Sequence, residues 1–358
     1  MVKQFVRSVT LLMALLGLAT AVYFSAPATT TAETPFPPIP LRERVPVPSQ
    51  ISAVGKNVDS PTLAQAPNGQ LMVSFNQWVA GNAENSDPYY SISANNGQTW
   101  TTPAPIATLA NTKSITAITY DSNNVAHAVW SETQADTTKI FYANRQTGSW
   151  SAPLELASAP FASQGVDIVA SRPGVVDVIW DIDYGPPTDG LVQHKRFTLS
   201  GGTWTGGTTL TVNDSFTTFG LVPAIAADSN GNLHAVWQGQ FDAQIYYARL
   251  NVGASAWTQP SFLVSTDILS GKSYEPDVAV YNNTVYVGIS YRQDGTIGTT
   301  FQSVFERHCG NATGATSCLA PTNWSAIRNI SGSFLKVAEQ DPFYIAPQFA
   351  LMQAGQYR

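Results

Sequence analysis

A scattered set of charged residues, Asp59, Glu132, Asp181, Asp183, Glu275, Arg292 and Asp341, has the types that could bind or transform a polar ligand. Trp78 and Tyr184 lie near them in the chain and offer flat rings for stacking. Carboxylates accept hydrogen bonds from hydroxyls, and positioned carboxyl groups transfer protons. A guanidinium fork holds a carboxylate through two parallel bonds. Several carboxylates accompany one arginine here, so a second anion would be repelled. The set suits a neutral or polyhydroxylated ligand better than an acidic one.

Other chemistry-bearing residues read differently. His127 and His234 occupy equivalent positions in two copies of "HAVW" and are features of a repeat. Asp181, Asp183 and Asp189 in "WDIDYGPPTDG" offer oxygens of the kind Ca²⁺ takes, but no calcium-loop spacing matches, and a solvated loop is expected. The residues call for no metal and no cofactor. Cys309 and Cys318 are the two cysteines, and His308 is the one other ligand-type residue beside them. A local disulfide in an oxidising compartment is expected. Asn311-Ala312-Thr313 is a glycosylation sequon that matters only in a glycosylating host.

The start of the chain agrees with an oxidising compartment. Lys3 and Arg7 precede an apolar run from Val9 to Phe24, followed by small residues, so residues 1–28 read as a secretory signal peptide or an N-terminal anchor. Residues 29–45 are a Thr/Pro-rich spacer. The body is expected to be exported, secreted or held at the cell surface. Membrane contact would come only through an uncleaved N-terminal segment. A net charge of -6 gives no basic footprint for nucleic acid.

The elements that position these residues follow from the tryptophans. Of 358 residues 12% are charged, and 26 glycines and 23 prolines accompany abundant β-formers, which suits short strands joined by turns. Trp100, Trp150, Trp204, Trp257 and Trp324 each follow a small-residue turn, while "HAVW", "DVIW" and "HAVW" end alternating runs. The period is roughly 50–67 residues, with four alternating runs in each and no helical pattern, which predicts an all-β propeller of four-stranded antiparallel blades. Blades are expected near 58–107, 113–157, 164–213, 220–266 and 274–332. Residues 340–358 resemble the start of a sixth blade that residues 46–52 would close. The propeller domain is therefore placed at 46–358, six-bladed, with an incomplete last blade in a C-terminally truncated chain. In such a ring the charged set above gathers on the face where the first strands enter.

Ser93-Ala94-Asn95-Asn96-Gly97-Gln98-Thr99-Trp100 resembles the Asp-box of sialidase-type (BNR) propellers, with Asn95 in the Asp slot; the box decays in the later blades but keeps the tryptophan. The resemblance implies a hairpin lock built on Asn95, Gly97 and Trp100, on the side away from a sialidase's active centre. It also implies that Glu275 and Arg292, in "YEPDVAVYNNTVYVGISYR", match the family's glutamate and one arginine of its carboxylate clamp. Two departures count against catalysis. Asp59-Ser60-Pro61 stands where an Arg-Ile-Pro motif is usual, and "PYYSI" lacks the second arginine. Pro61, Pro223, Pro276 and Pro347 also share the blade-start slot, so the Glu-Pro pair is partly scaffold. The expected function is a non-catalytic module binding a glycan or a cell-surface protein. The alternatives are an exo-acting glycosidase of sialidase type whose C-terminal site residues are missing, and a purely structural repeat.

Overall fold

A computed structural model describes most of residues 50–335. Outside the description lie 1–49, 80–81, 109–112, 135–136, 162, 164, 186–189, 214–219, 240–241, 260, 266–271, 294–300, 315–317, 331–333 and 336–358. The described residues form an all-β propeller of five antiparallel sheets. Blade one holds β1 (Val58–Gln65), β2 (Leu71–Val79), β3 (Asn82–Ser93) and β4 (Ala104–Pro105). Blade two holds β5 (Lys113–Tyr120), β6 (Ala126–Gln134), β7 (Thr137–Asn144) and β8 (Leu154–Ala159). Blade three holds β9 (Val166–Arg172), β10 (Val175–Ile182), β11 (Leu191–Ser200) and β12 (Thr203–Thr211). Blade four holds β13 (Gly220–Ala227), β14 (Leu233–Gly239), β15 (Ile245–Leu250) and β16 (Phe262–Leu263). Blade five holds β17 (Lys272–Tyr281), β18 (Thr284–Gln293), β19 (Phe301–Gly310) and β20 (Arg328–Asn329), with β21 (Phe334–Leu335) also paired to β19.

The expected count of six is therefore corrected to five among the described residues. The sixth blade rested on residues 340–358 and its closing strand on 46–52, and of these only 50–52 are described. Ile51 is buried beside Val73 and Phe75 of blade one.

The core lies between blades. Second strands are covered on both faces by the blades on either side, so β10 is buried at all eight positions (VVDVIWDI) and reads as a nearly continuous apolar run. One apolar cluster joins Val129 and Ile140 of blade two to Val178 and Trp180 of blade three. Another joins Val236 and Tyr247 of blade four to Val287 and Ile289 of blade five.

The turn tryptophans complete these seams. Trp150 of blade two meets Tyr90 of blade one edge-on at 5.6 Å, and Trp204 of blade three meets His127 of blade two at 4.5 Å. Trp257 of blade four meets His194 at 5.4 Å, and Trp324 of blade five meets Tyr247 at 5.3 Å. Each ring presents its edge or face to an aromatic partner in the preceding blade, an arrangement the ring quadrupole favours.

In the Ser93–Trp100 turn, Ser93 Oγ accepts from Gly97 N at 2.8 Å and Asn95 Oδ1 accepts from Thr99 N at 2.9 Å. The Trp100 indole donates to Gly97 O at 3.1 Å. Gly97 sits at φ 80°, the left-handed conformation that glycine adopts without steric cost.

Cys309 and Cys318 are disulfide-bonded, with Cα atoms 5.6 Å apart. The bridge closes the loop between β19 and β20.

Candidate functional site

Antiparallel pairing puts the turns between strands one and two, and between strands three and four, on one face of the ring. The entries to the first strands and the loops between strands two and three share the other face, called here the loop face.

On that face, blade one builds a rigid acceptor. Asp59, half-buried at the start of β1, accepts from Asn76 Nδ2 at 2.9 Å through Oδ1 and from the Trp78 indole at 3.0 Å through Oδ2. Asn76 in turn accepts from Ser114 Oγ at 3.1 Å and Thr116 Oγ1 at 2.9 Å, which ties the site to the first strand of blade two. Trp78 stays half-buried. Opposite Ser114 in the ladder lies Glu132, which accepts from the Trp130 indole at 3.0 Å. Burial raises the Glu132 carboxyl above its ordinary range and Asp87 adds to this, against the Trp130 bond and Lys139.

Asp181, next to last in β10, is almost fully buried. Its Oδ1 accepts from Gly165 N at 2.5 Å and Ser163 Oγ at 3.4 Å. A Cβ on Gly165 would come within 2.8 Å of Val222 Cα, so this glycine permits the close approach of blades three and four. Asp183 accepts from Gly185 N at 2.8 Å, and Tyr184 donates to Gln193 at 3.4 Å. In blade five, Glu275 N donates to Gln238 of blade four at 3.4 Å.

Glu275 has φ 42°, and Ser60 and Val222 have φ 48°. All three precede a proline. All three fall where the register between strands one and two breaks, at Asp59/Thr62, Leu221/Ala224 and Tyr274/Asp277. A non-glycine residue in this region costs about 1–3 kcal/mol, and a bulge re-aims the residues around it. The slot of Glu275 is thus a repeated backbone device in blades one, four and five.

Two groupings emerge: Asp59, Trp78 and Glu132 along the seam of blades one and two, and Asp181 and Glu275 along the seams of blades three to five. Arg292 pairs through its backbone with Lys272 and Gln302, and its side chain lies outside the description. Asp341 and Asp189 lie outside the described residues. Sequence reasoning missed Asn76, Asp87 and Gln238. It also missed Asp167 in β9, whose carboxyl burial pushes up to about 7, with Asp277 adding and the Ile225 and Ile168 amides opposing. Among the described residues no three His, Cys, Asp or Glu side chains converge as a metal site would need. His127 and His234 are fully buried, each with Nδ1 against a tyrosine hydroxyl, Tyr142 at 2.8 Å and Tyr247 at 2.7 Å.

No family model matches the chain, and no curated protein sequence does. Solved structures do. A protein of unknown function from Dyadobacter fermentans aligns at TM-score 0.52 and 12% identity, over 74% of this chain and 83% of that one. The NanB sialidase from Streptococcus pneumoniae aligns at TM-score 0.53 and 10% identity, over 79% of this chain and 63% of the sialidase chain. At these identities the likeness is one of fold: a sialidase-like propeller.

Proposed function

We propose that this chain is an exported propeller that binds a neutral, polyhydroxylated glycan on its loop face without hydrolysing it. The Asp59–Trp78 pair carries the reading. A carboxylate fixed by two donors, beside a half-buried tryptophan, offers a preorganised acceptor and a ring for stacking, which is what a sugar ring with its hydroxyls requires. Asp59 occupies the slot where the sialidase-type motif has an arginine, so the face lacks that part of a carboxylate clamp. The acidic lining, with Asp87 and Glu132 already opposing one another, disfavours an anionic sugar. Export is supported by the charged-then-apolar start of the chain and by the Cys309–Cys318 bridge. Among the described residues no helix is long and apolar enough to cross a membrane.

The rival reading is a sialidase-type glycosidase using Glu275 and Arg292. The backbone that Glu275 shares with Ser60 and Val222 favours a scaffold role for its position. Incubation of the protein with a fluorogenic sialoside separates the two readings. We expect no turnover, and saturable binding of neutral oligosaccharides that Trp78→Ala removes. Turnover abolished by Glu275→Gln or Arg292→Ala would install the glycosidase, and capture of a deglycosylated surface protein in place of a glycan would also overturn the proposal.

A further inference from the structure

The loop face carries a ring that the Asp59–Trp78 reading does not use. Phe161 lies in the loop that leaves β8 of blade two and enters β9 of blade three, and it is 44% exposed. Among the described residues it is the most exposed aromatic side chain, and it belongs to none of the apolar clusters. The ring is held by its edge. A Cβ on Gly185 would meet Phe161 Cε2 at 2.7 Å, with Cζ at 3.5 Å and Cδ2 at 3.6 Å. Distances that climb this steeply on both sides of one carbon mean an edge-on approach, which leaves both ring faces clear of Gly185. Gly185 sits at φ 76°, where only glycine is at ease.

The backbone beneath the ring is fixed as well. Ser163 N donates to Thr138 Oγ1 of blade two at 3.3 Å, and Gly165 N and Ser163 Oγ donate to the buried Asp181. Asp183 Oδ1 accepts from Gly185 N at 2.8 Å, and its Oδ2 has no partner among the described residues. A ring and an unspent carboxylate oxygen thus flank one glycine, the same pairing of types as Trp78 and Asp59.

The two pairs lie one blade apart on the same face. Asn76, which binds Asp59, accepts from Ser114 Oγ, and Ser114 lies opposite Glu132 in the ladder. Beside Glu132, the Thr133 hydroxyl bonds that of Thr138 at 2.9 Å, and Thr138 holds Ser163, two residues from Phe161. This polar chain crosses blade two alone, and sheets packed face to face stand about 10 Å apart. A chain of several sugar rings reaches across a blade, and a single ring does not.

We propose that Phe161 and Asp183 form a second sugar subsite, so that the loop face takes an extended neutral oligosaccharide laid across blade two from Trp78 to Phe161. The inference rests on the loop-face glycan reading and adds the length of its ligand. The C–H face of one sugar ring stacks on the phenyl ring, and Asp183 Oδ2 accepts from its hydroxyls. Because the ring and its loop are already held in place, little conformational freedom is lost on binding.

The test is an NMR titration of the full-length protein with cello- and malto-oligosaccharides, from glucose to the hexasaccharides. In the preferred series, affinity is expected to rise about tenfold or more from glucose to the hexasaccharide, the scale of one added stacking contact. Phe161→Leu keeps an apolar side chain but loses the ring, and is expected to remove that gain while glucose binding stays unchanged. Phe161→Tyr is expected to retain the gain, and Trp78→Ala to remove binding at every length. A gain with length that survives Phe161→Leu, or an affinity that is flat with length, would overturn the inference and leave the loop-face reading standing. Glucose binding lost in Phe161→Leu would also overturn it, as the mark of a structural role. Absence of binding at every length in the unaltered protein would overturn both.

Discussion

The Trp257 indole of blade four stands edge-on to the His194 imidazole of blade three, ring centroids 5.4 Å apart at 84°. His194 Nε2 lies 2.8 Å from Asp177 Oδ1, which also accepts from Arg196 Nε at 2.8 Å. The plug therefore covers a charged pair as well as an apolar seam. Trp257→Ala is expected to destabilise the fold by about 3–5 kcal/mol, the usual cost of emptying a buried aromatic site. Val252→Ala, at a side chain 41% exposed in the same turn region, should stay within about 0.5 kcal/mol. Urea titration of both variants measures the contrast, and equal costs would contradict the plug.

Acid should undo the buried pairs in a definite order. Burial lowers the His127 and His234 values below the ordinary histidine value, outweighing Asp121 and Asp228. For Asp121, Asp177 and Asp228, burial raises the value, but hydrogen bonds led by His127, His194 and His234 outweigh it and leave each below the usual carboxylate range, Asp228 at about 2. A histidine whose folded value is depressed contributes full stability above its unfolded value of 6.5, and loses it as pH falls below that. A depressed carboxyl contributes above its unfolded value of 3.8 and loses it as pH falls toward the folded value. These groups act in one direction, whereas Asp167, which burial raises to about 7, and Glu132, which burial also raises, act in the other and regain stability as pH falls. In Asp167→Asn/Glu132→Gln, which removes both opposing groups, the urea midpoint should hold from pH 8 to about 7, begin to fall near 6.5, and fall again below about 4. A midpoint of this variant that rises between pH 7 and 5 would contradict this sign.

The disulfide loop is tied to blade four. Arg249, fully buried, donates through Nη1 to Gly314 O inside the loop, and the Trp324 indole donates to Cys318 O at 2.9 Å. Replacing both cysteines by alanine is expected to cost about 2–3 kcal/mol, the chain-entropy value for a loop of this size. Hydrogen exchange should rise first at Trp324 and along β15, where Arg249 loses its acceptor. Two reactive thiols in the native protein would contradict the bridge.

Gly165→Ala should loosen the loop face between blades three and four. The added methyl meets Val222 Cα at 2.8 Å, which is backbone and cannot rotate away. A loss of about 1–3 kcal/mol is expected. Gly253→Ala, where the new carbon meets nothing within 4 Å, isolates the cost of φ +81° alone.

Much of this architecture was legible because each blade repeats its own turn and its own tryptophan. Trp150, Trp204, Trp257 and Trp324 announce four seams through local patterns, since a turn and the strand after it are contiguous in the chain. The site was less legible because its contacts cross blades. Asn76 meets Thr116 at a separation of 40 residues and Gln238 meets Glu275 at 37, so no short motif records either pair. The left-handed slot at Ser60, Val222 and Glu275 was half visible. The prolines marked its place, but the residue before proline ordinarily adopts extended backbone, so its sign of φ was not. The expected sixth blade depended on residues outside the description.

The most direct test of the loop-face account is saturation-transfer NMR with the full-length protein and a panel of neutral and acidic oligosaccharides, repeated on Trp78→Ala and Asp59→Asn. The account predicts that a neutral oligosaccharide receives saturation through its ring protons, that Trp78→Ala abolishes the transfer, and that Asp59→Asn weakens binding about tenfold, the scale of one charge-assisted hydrogen bond. Binding of the neutral ligand that survives both substitutions, or an acidic sugar whose binding depends on Trp78, would contradict it.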